Sequence, residues 1–529
     1  MPGQLTLGVD IGTTNVKACV LDTATAAVIA TAAAEHPLHH PHPGWAEQYA
    51  DEYWDAVSAC IRDCVRQLPG PAGDIAAVSL SGLVGVTLAV DRTGRPLRPA
   101  MIWMDSRAHA ECTEIRERIG EERINAVNGN RVASWFIEPK LLWIRTHEPE
   151  TFGRIHKLLS PTGYCNFRLS GSYSINQGDA GLFYPYEHKT GSWDHALTAD
   201  LGLDPGIYPD VSVSQQVIGT VTAEAAAETG LRAGTAVVAG GTDIGSAALG
   251  AGITEVSQAY YSMGTGSNLG IVIPREQEVP EYRILKWPHV IEGLTLLDAP
   301  MAFTGASLKW FRDKFADPEV VMAERMGRNV FDLVTEQAGQ IDAGADGLLY
   351  LPYLGNSLAP RWDLNACGVF FGMQPFSTRA HFIRALIEGV AFDLYSNVRI
   401  AQEAGVEFDE IVLNGGPTRS ALWNQITADV TGHRLVIPDV DEAAPLGDAM
   451  IAATGVGLYR DLREPAKSLV KIKGAVEPDA ERHAMYGEFF ELWHQIYLDL
   501  ETSMSRHSQL VSRYSRPGPS AMVGAGGSR

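Results

Sequence analysis

The sequence is poor in cysteine and in positive charge. Its 529 residues include six cysteines, and 42 Lys and Arg face 63 Asp and Glu, a formal net charge of −21. The cysteines are scattered, and Cys60 and Cys64 have no second pair beside them, which argues against a disulfide framework or a structural metal site. A strongly acidic chain also makes nucleic acid and anionic membranes unfavourable partners.

Long apolar runs and two common phosphate-binding motifs are also missing. No apolar run reaches the roughly 18 residues of a membrane helix, and no export signal precedes the first strand, so we expect a cytoplasmic protein. No Gly-Lys dipeptide occurs, which excludes a P-loop. The segment GTGSNLG at residues 264–270 is one residue too long for the dinucleotide fingerprint.

The chain opens with a pattern of strand, glycine turn and strand. The segment LTLGVDIGTTNVKACVLD, residues 5–22, alternates apolar and small residues on both sides of a turn. Around this turn stand the Asp10 carboxylate, the Thr13 and Thr14 hydroxyls and the Lys17 ammonium, none of which a plain hairpin needs. We interpret Gly12 and the two threonines as an anion-binding turn and Asp10 as a candidate Mg²⁺ ligand.

A second unit of this kind begins the other half of the chain. In QAYYSMGTGSNLGIVI the turn is Gly264-Thr265-Gly266. Either unit alone fits a plain hairpin equally well, but the pair favours a nucleotide gripped at its phosphates. A third turn, NGGPTRSALW, carries Gly415-Gly416 between a strand and a helix. It suits an adenosine pocket, or it is a simple connection with a helix starting at Ser420.

Strands alternate with helices in both halves, which indicates an α/β protein of two domains around a cleft. We place an N-terminal domain at residues 1–252 and a C-terminal domain at residues 253–502. The Ser-, Arg- and Gly-rich end, residues 503–529, is predicted to be disordered.

Seven segments, in this order and over nearly the whole chain, resemble the FGGY carbohydrate kinases. They are GVDIGTTNVKACVLD, GGTDIGSAALGAG, SMGTGSNLGIV, GASLKWFRD, GVFFGMQPFSTRAHFIRALIE, NGGPTRSALWNQITADVTG and EAAPLGDAMIAATGVG. The resemblance implies a two-domain actin/hexokinase-like (ribonuclease H-like) fold with the active site in the interdomain cleft. It also implies transfer of the γ-phosphate of ATP, with Mg²⁺, to a small sugar or polyol, and a homodimer.

The resemblance assigns roles residue by residue. The phosphate-binding positions are Gly12, Thr13, Thr14, Lys17, Gly264, Thr265 and Gly266. The adenosine-binding positions are Gly305, Lys309, Gly415, Gly416 and Ser420. Asp243 resembles the catalytic base, which accepts the proton of the acceptor hydroxyl; read locally, it is equally a helix N-cap after Gly240-Gly241.

The substrate-facing positions are Ser81, Trp103, Asp105 and Asp243 itself. Core packing for Trp103 and a solvated turn for Asp105 are the local alternatives. The framework resembles xylulokinase-like members, but Leu83-Val84-Gly85 stands where those carry Gln-Met-His, and Ile244 replaces an Asn or Gln. Because two polar contacts have become apolar, we expect a pentulose-like acceptor with fewer hydroxyls, or with a deoxy or methyl group.

An actin-like nucleotide switch or chaperone ATPase without a sugar acceptor is the alternative function. Such a protein would share both phosphate turns and the adenosine turn. The region between the turns, with Trp103-Met104-Asp105 and Lys140, favours a sugar pocket instead.

Overall fold

The computed structural model describes residues 4–70, 74–279 and 283–514. The chain forms two compact units. The first runs to Gln258 and resumes at Gly270–Asp298 and Pro438–Ile472. The second comprises Ala259–Leu269, Ala299–Ile437 and the chain from Lys473 onward.

Strands and helices alternate along the described residues, which confirms the α/β prediction. The strands are β1 (Leu5–Ile11), β2 (Asn15–Asp22), β3 (Ala27–Glu35), β4 (Glu47–Gln48), β5 (Ile75–Gly82), β6 (Leu88–Val90), β7 (Ala100–Met101), β8 (Lys157–Leu159), β9 (Ser174–Asn176), β10 (Tyr186–Glu187), β11 (Ser192–Trp193), β12 (Asp210–Ser212), β13 (Val217–Thr220), β14 (Ala236–Thr242), β15 (Ala259–Met263), β16 (Ser267–Pro274), β17 (Leu285–Pro288), β18 (Leu294–Met301), β19 (Leu349–Leu351), β20 (Val369–Phe371), β21 (Glu410–Gly415), β22 (Arg434–Pro438) and β23 (Ile472–Val476).

The helices of the described residues range from single turns to one of 35 residues. They are α1 (Ala50–Gln67), α2 (His109–Arg118), α3 (Glu121–Asn128), α4 (Ile137–His147), α5 (Pro149–Phe152), α6 (Pro161–Ser170), α7 (Gln177–Ala180), α8 (His195–Asp200), α9 (Ala223–Thr229), α10 (Asp243–Gly250), α11 (Thr304–Phe315), α12 (Asp317–Met326), α13 (Val330–Ala338), α14 (Arg379–Glu403), α15 (Ala421–Thr431), α16 (Ala443–Gly455), α17 (Arg463–Leu469) and α18 (Ala480–Tyr514).

The first unit is built on a six-stranded sheet with the order β13-β14-β5-β1-β2-β3. The predicted opening hairpin is β1 and β2, which pair antiparallel with Asp10 opposite Lys17. Strand β5 lies parallel to β1 with Ser81 opposite Asp10, and β14 lies parallel to β5 with Thr242 opposite Gly82. The carboxyl ends of β1, β5 and β14 therefore meet at one edge, where open α/β sheets bind their ligands.

Helix α16 is part of this first unit although it comes late in the chain. It packs on β1 and α10, where small residues permit very close approach: a Cβ on Gly8 would lie 1.9 Å from the Pro445 carbonyl oxygen. The two units are thus not the contiguous halves 1–252 and 253–502 that the sequence predicts. Composition carries no signal for a segment that returns to the first unit.

In the second unit, β15, β21 and β22 lie side by side in parallel. The pairing of β15 with β21 places Met263 opposite Gly415, so the second phosphate turn and the adenosine turn follow neighbouring strands. The predicted helix after Thr378 is α14, and the helix after the adenosine turn is α15.

The predicted disordered tail is wrong for residues 503–514. Helix α18 continues through Tyr514, because neither glycine nor proline interrupts the chain between Gly487 and Pro517. Residues 515–529, the remainder of that prediction, lie outside the described residues.

Candidate active site

Asp243 occupies the first turn of α10, directly after β14. The helix is capped by Thr242, whose Oγ1 accepts a hydrogen bond from the Gly245 N–H at 3.0 Å. The alternative interpretation of Asp243 as the N-cap is therefore wrong. Asp243 Oδ1 accepts the N–H of Ile244 at 2.8 Å, and the residue is partly exposed at the sheet edge.

The surroundings of Asp243 raise the pKa of its carboxyl, which must be ionised before it can accept a proton. Burial is the largest cause that raises its pKa well above the usual range, and the neighbouring carboxyls of Asp10, Asp179 and Asp298 raise it further. A carboxylate with a raised pKa is a stronger proton acceptor, as a general base must be.

Asp10 is joined to a buried carboxyl that sequence reasoning missed. Ser81 Oγ lies 3.0 Å from Asp10 Oδ1 and 2.6 Å from Asp448 Oδ2, and Ser246 Oγ lies 2.6 Å from Asp448 Oδ1. Burial raises the pKa of Asp10 to about 6 and that of Asp448 well above the usual range.

The number of available protons limits how Ser81, Asp10 and Asp448 can be hydrogen-bonded. The Ser81 hydroxyl carries one proton and cannot donate to both carboxyls. One of the two carboxyls must therefore hold a proton. The pKa is raised well above the usual range at Asp448 and to about 6 at Asp10, so we expect Asp448 to be the protonated one and to share that proton with Ser81. Asp448 lies in the segment EAAPLGDAMIAATGVG, but only the packing of α16 on β1 and α10 connects it to the site.

The first phosphate turn lies beside Trp103. The Trp103 Nε1–H donates to Thr13 Oγ1 at 3.4 Å, and the residue is 45% exposed, so the core-packing alternative for Trp103 is wrong. Lys17 forms an ion pair with Glu442, at 2.8 and 2.7 Å from the two carboxylate oxygens. No local pattern singles out Glu442.

Asp105 is held by other protein groups. Its carboxylate is fully buried, pairs with the Arg107 guanidinium at 2.6 Å, and accepts the Ala46 N–H at 2.7 Å. The alternative of a solvated turn is therefore wrong, and the sugar contact stays a prediction. Asp105 and Arg107 lie two and four positions after Trp103, and no local pattern in the chain indicates that they pair.

The apolar segment at residues 83–85 divides between core and surface. Leu83 is buried in the core of the first unit, whereas Val84 is partly exposed. Gly85 has φ +67°, and its carbonyl accepts a hydrogen bond from the Lys140 ammonium at 2.6 Å. Burial lowers the pKa of Lys140 to about 7. Only Val84 of this segment is thus left in a position to contact a ligand.

The glycines of the second unit are brought together by close backbone approaches. The Gly305 N–H donates to the Gly264 carbonyl at 3.1 Å, and a Cβ on Gly305 would lie 2.3 Å from that oxygen. Gly415 has φ +101°, and its Cβ would lie 1.9 Å from the Met263 carbonyl. Beside Gly416 there is open space. Gly305 and Gly415 are thus required by the fold itself.

Two predicted adenosine residues have clear local roles. Ser420 caps α15 by accepting the Trp423 N–H at 3.3 Å, so the alternative of a helix start at Ser420 is confirmed. Lys309 is exposed and pairs with Asp313 at 2.6 Å. Neither observation tests contact with a nucleotide.

Comparison with known families matches residues 5–250 to the N-terminal domain and residues 259–456 to the C-terminal domain of the FGGY family of carbohydrate kinases. The chain belongs to this family. The family recognised in the sequence and its two-domain actin/hexokinase-like fold are thereby confirmed.

Relatives of this FGGY kinase carry different names. It is 29% identical over 502 residues to a xylulose kinase of Staphylococcus epidermidis, covering 94% of this chain and 97% of the relative. It is 30% identical over 530 residues to an autoinducer-2 kinase of an Enterobacter species, covering 97% and 99%. The solved xylulose kinase of Rhodospirillum rubrum superimposes with a TM-score of 0.85 at 29% identity, covering 95% and 100%.

The described part of the chain contains neither a candidate membrane span nor a cluster of metal-ligating side chains. There, no helix combines the length and apolar character that a membrane span needs. Within the same residues, no group of three or more His, Cys, Asp or Glu side chains is arranged to hold a metal ion.

Proposed function

We propose that this FGGY kinase transfers the γ-phosphate of ATP to a hydroxyl of a small, pentulose-like sugar or polyol that is less hydroxylated than xylulose. The observation that carries the proposal is the position of the Asp243 carboxylate near Asp10 at the strand ends. Thr242 caps the helix, so the Asp243 side chain is not needed for capping.

Asp243 is the residue to which we assign base catalysis. A sugar hydroxyl is a weak nucleophile, and the transferred phosphoryl group passes through a loose transition state, so positioning and a late proton transfer dominate. Asp243 takes the hydroxyl proton as the new bond to phosphorus forms. Its raised pKa supports this role, because the proton must be held once transferred.

The glycine turns and Asp10 are the groups that we assign to MgATP. Thr13 and Thr14 offer backbone N–H groups for phosphate oxygens, whereas the Gly12 N–H donates to the Asn15 carbonyl at 2.9 Å and helps to shape the turn. The glycine turns at 264–266 and 415–416 remain proposals for nucleotide binding. Asp10 fits Mg²⁺, since this ion usually takes one or two carboxylates and completes its shell with phosphates and water. When bound, Mg²⁺ would neutralise phosphate charge.

The substrate proposal rests on two apolar side chains, Ile244, which follows Asp243 in the chain, and Val84, which precedes Gly85. Val84 and Ile244 are both partly exposed and apolar. An apolar wall accepts an acceptor that lacks a hydroxyl at that position, whereas a hydrogen-bonding wall rejects it strongly. The xylulose kinase and autoinducer-2 kinase names of the relatives support both a pentulose and an alternative acceptor.

Release of ADP across a panel of acceptors tests the proposal. The panel contains xylulose, other pentuloses and hexuloses, deoxy sugars, autoinducer-2, alditols and cyclitols. We expect acceptor-dependent release, highest kcat/KM for a less hydroxylated pentulose, and a loss of about 10³-fold in kcat for Asp243→Asn with ADP affinity retained.

Asp91→Asn, in an exposed turn, is the matched control and should leave kcat unchanged. Near-normal turnover by Asp243→Asn would remove the base assignment. Slow hydrolysis without any acceptor, together with nucleotide-dependent assembly, would favour the actin-like switch instead.

A further inference from the structure

Three successive carbonyls of the first phosphate turn are hydrogen-bonded from one side. His36 Nε2 contacts the Gly12 carbonyl at 2.9 Å, and Gln48 Nε2 donates to the Thr13 carbonyl at 2.7 Å. The His36 backbone N–H donates to the Thr14 carbonyl at 3.0 Å. Two residues, one after β3 and one in β4, therefore hold the back of the turn.

Holding these carbonyls also fixes the direction of the amides. In a trans peptide the C=O group points opposite to the N–H of the next residue. The N–H groups of Thr13 and Thr14 thus point away from His36 and Gln48. Thr14 itself is exposed.

The orientation of the Gln48 amide is itself determined. Tyr53 Oη lies 2.7 Å from Gln48 Oε1 and donates to it, which leaves the NH₂ group facing the turn. That NH₂ group also lies 3.0 Å from the Pro37 carbonyl and 3.1 Å from His36 Nδ1. A flipped amide would place its oxygen against two carbonyl oxygens, so the NH₂ group must face the turn; its two protons are shared among these three acceptors.

The tautomer of His36 follows from the same contacts. The Gly12 carbonyl can only accept, so Nε2 carries the proton and donates to it, and Nδ1 of the neutral ring is the acceptor that faces the Gln48 amide. His36, Gln48 and Tyr53 are all buried, and the His36 and Tyr53 rings meet edge to face at 5.3 Å. Burial lowers the pKa of His36, which keeps the ring neutral as this pattern requires.

We infer that His36 and Gln48 are positioning residues, which hold the first phosphate turn in its nucleotide-binding form before the nucleotide arrives. The inference rests on the proposed function, in which this turn binds the phosphates of ATP. A preformed turn avoids the ordering cost that a flexible turn would add to binding. The buried chain Tyr53–Gln48–His36 supplies that order.

Gln48→Glu is the sharpest test. The substitution is isosteric and keeps the acceptor for Tyr53, but it replaces the donor by an oxygen that faces the Thr13 and Pro37 carbonyls. We expect the dissociation constant of ADP, measured by calorimetry, to rise about tenfold or more. The KM for ATP should rise in step, with little change in the KM for the sugar.

Asn128→Asp is the matched control. Asn128 also donates a buried side-chain amide to two carbonyls, those of Gly181 at 3.0 Å and Phe183 at 2.9 Å, which belong to another segment. We expect this variant to lose thermal stability as Gln48→Glu does, and to keep the ADP affinity of the wild type.

His36 supplies a second pair of variants in case Gln48→Glu does not fold. His36→Phe keeps the ring against Tyr53 and removes the donor, whereas His36→Gln restores a donor. ADP affinity should fall for the first and partly recover for the second. Wild-type ADP affinity in both Gln48→Glu and His36→Phe would overturn the inference. Failure of the wild-type protein to bind ADP would instead contradict the proposed function.

Discussion

At the scale of single residues, the site is a chain of hydrogen bonds that ends at the partly exposed Asp10 carboxylate. Asp448 is fully buried and lies 2.6 Å from Ser81 Oγ, which lies 3.0 Å from Asp10 Oδ1 at the sheet edge. A buried neutral carboxyl is an unusual donor, and its proton makes a specific prediction about stability.

We predict that Asp448→Asn becomes more stable relative to wild type as pH rises from 5 to 8. The pKa of Asp448 is raised in the folded state and lies near 4 in the unfolded chain. Between these values the unfolded chain binds fewer protons, so wild-type stability falls as pH rises, whereas Asn keeps the donor and has no proton to lose. Melting temperatures of both proteins at the two pH values measure the effect.

The control for this prediction is Asp91→Asn, whose side chain lies in an exposed turn. There, hydrogen bonds from Thr93 and its neighbours lower the pKa of the Asp91 carboxyl. Replacing Asp91 by Asn should therefore not raise the melting temperature increasingly with pH. If the melting temperature of Asp448→Asn instead fell relative to that of the wild type as pH rises, Asp448 would be ionised in the folded protein.

At the scale of secondary-structure elements, α16 determines whether the site forms. It presses against β1 and α10 through glycines, and it carries both Asp448 and, one residue before its start, Glu442. Within α10, a Cβ on Gly250 would lie 1.8 Å from the Ala443 carbonyl oxygen. The two helices can approach this closely only because the side chain is absent.

We expect Gly250→Ala to destabilise the protein by about 3 kcal/mol, because backbone atoms rather than a flexible side chain occupy the space. Thermal unfolding measures this loss. Gly487→Ala is the opposite case, since Gly487 lies inside α18 with no atom near its Cβ position, and should gain about 0.5–1 kcal/mol. If Gly250→Ala left the free energy of unfolding unchanged, α16 would be able to move away from α10 without destabilising the protein.

At the scale of the whole molecule, the compact units do not follow the order of the chain. The segment Pro438–Ile472 belongs to the first unit, together with β1, β5 and β14. The family boundaries at residues 250 and 259 describe relatedness along the sequence, whereas the contacts describe what must pack together.

We therefore predict that residues 1–258 alone do not fold cooperatively. Without α16, the face of β1 at Gly8 and the partner of Ser81 and Ser246 are missing. Circular dichroism during heating should show a sharp transition for the full chain and none for the fragment. A cooperative transition of the fragment would restore the contiguous boundary that the sequence suggests.

Features that depend on neighbouring residues could be predicted from the sequence, whereas features that depend on distant residues could not. The opening hairpin, the second glycine turn and α14 are encoded by local periodicity and glycine placement, and all three form as predicted. The solvated turn considered for Asp105 is wrong, because the sequence does not show that Asp105 and Arg107 are buried together as an ion pair. The residue roles of the predicted site remain proposals.

The sequence by itself determined the family, the alternation of strands and helices, and the carboxylate and glycine positions, because these depend on neighbours within one turn or strand. Tertiary structure alone decided which groups meet. Ser81 and Asp448 are 367 positions apart, and His36 reaches Gly12 across a hairpin. Such pairings follow from packing and burial, which act between distant segments and leave no local pattern in the chain.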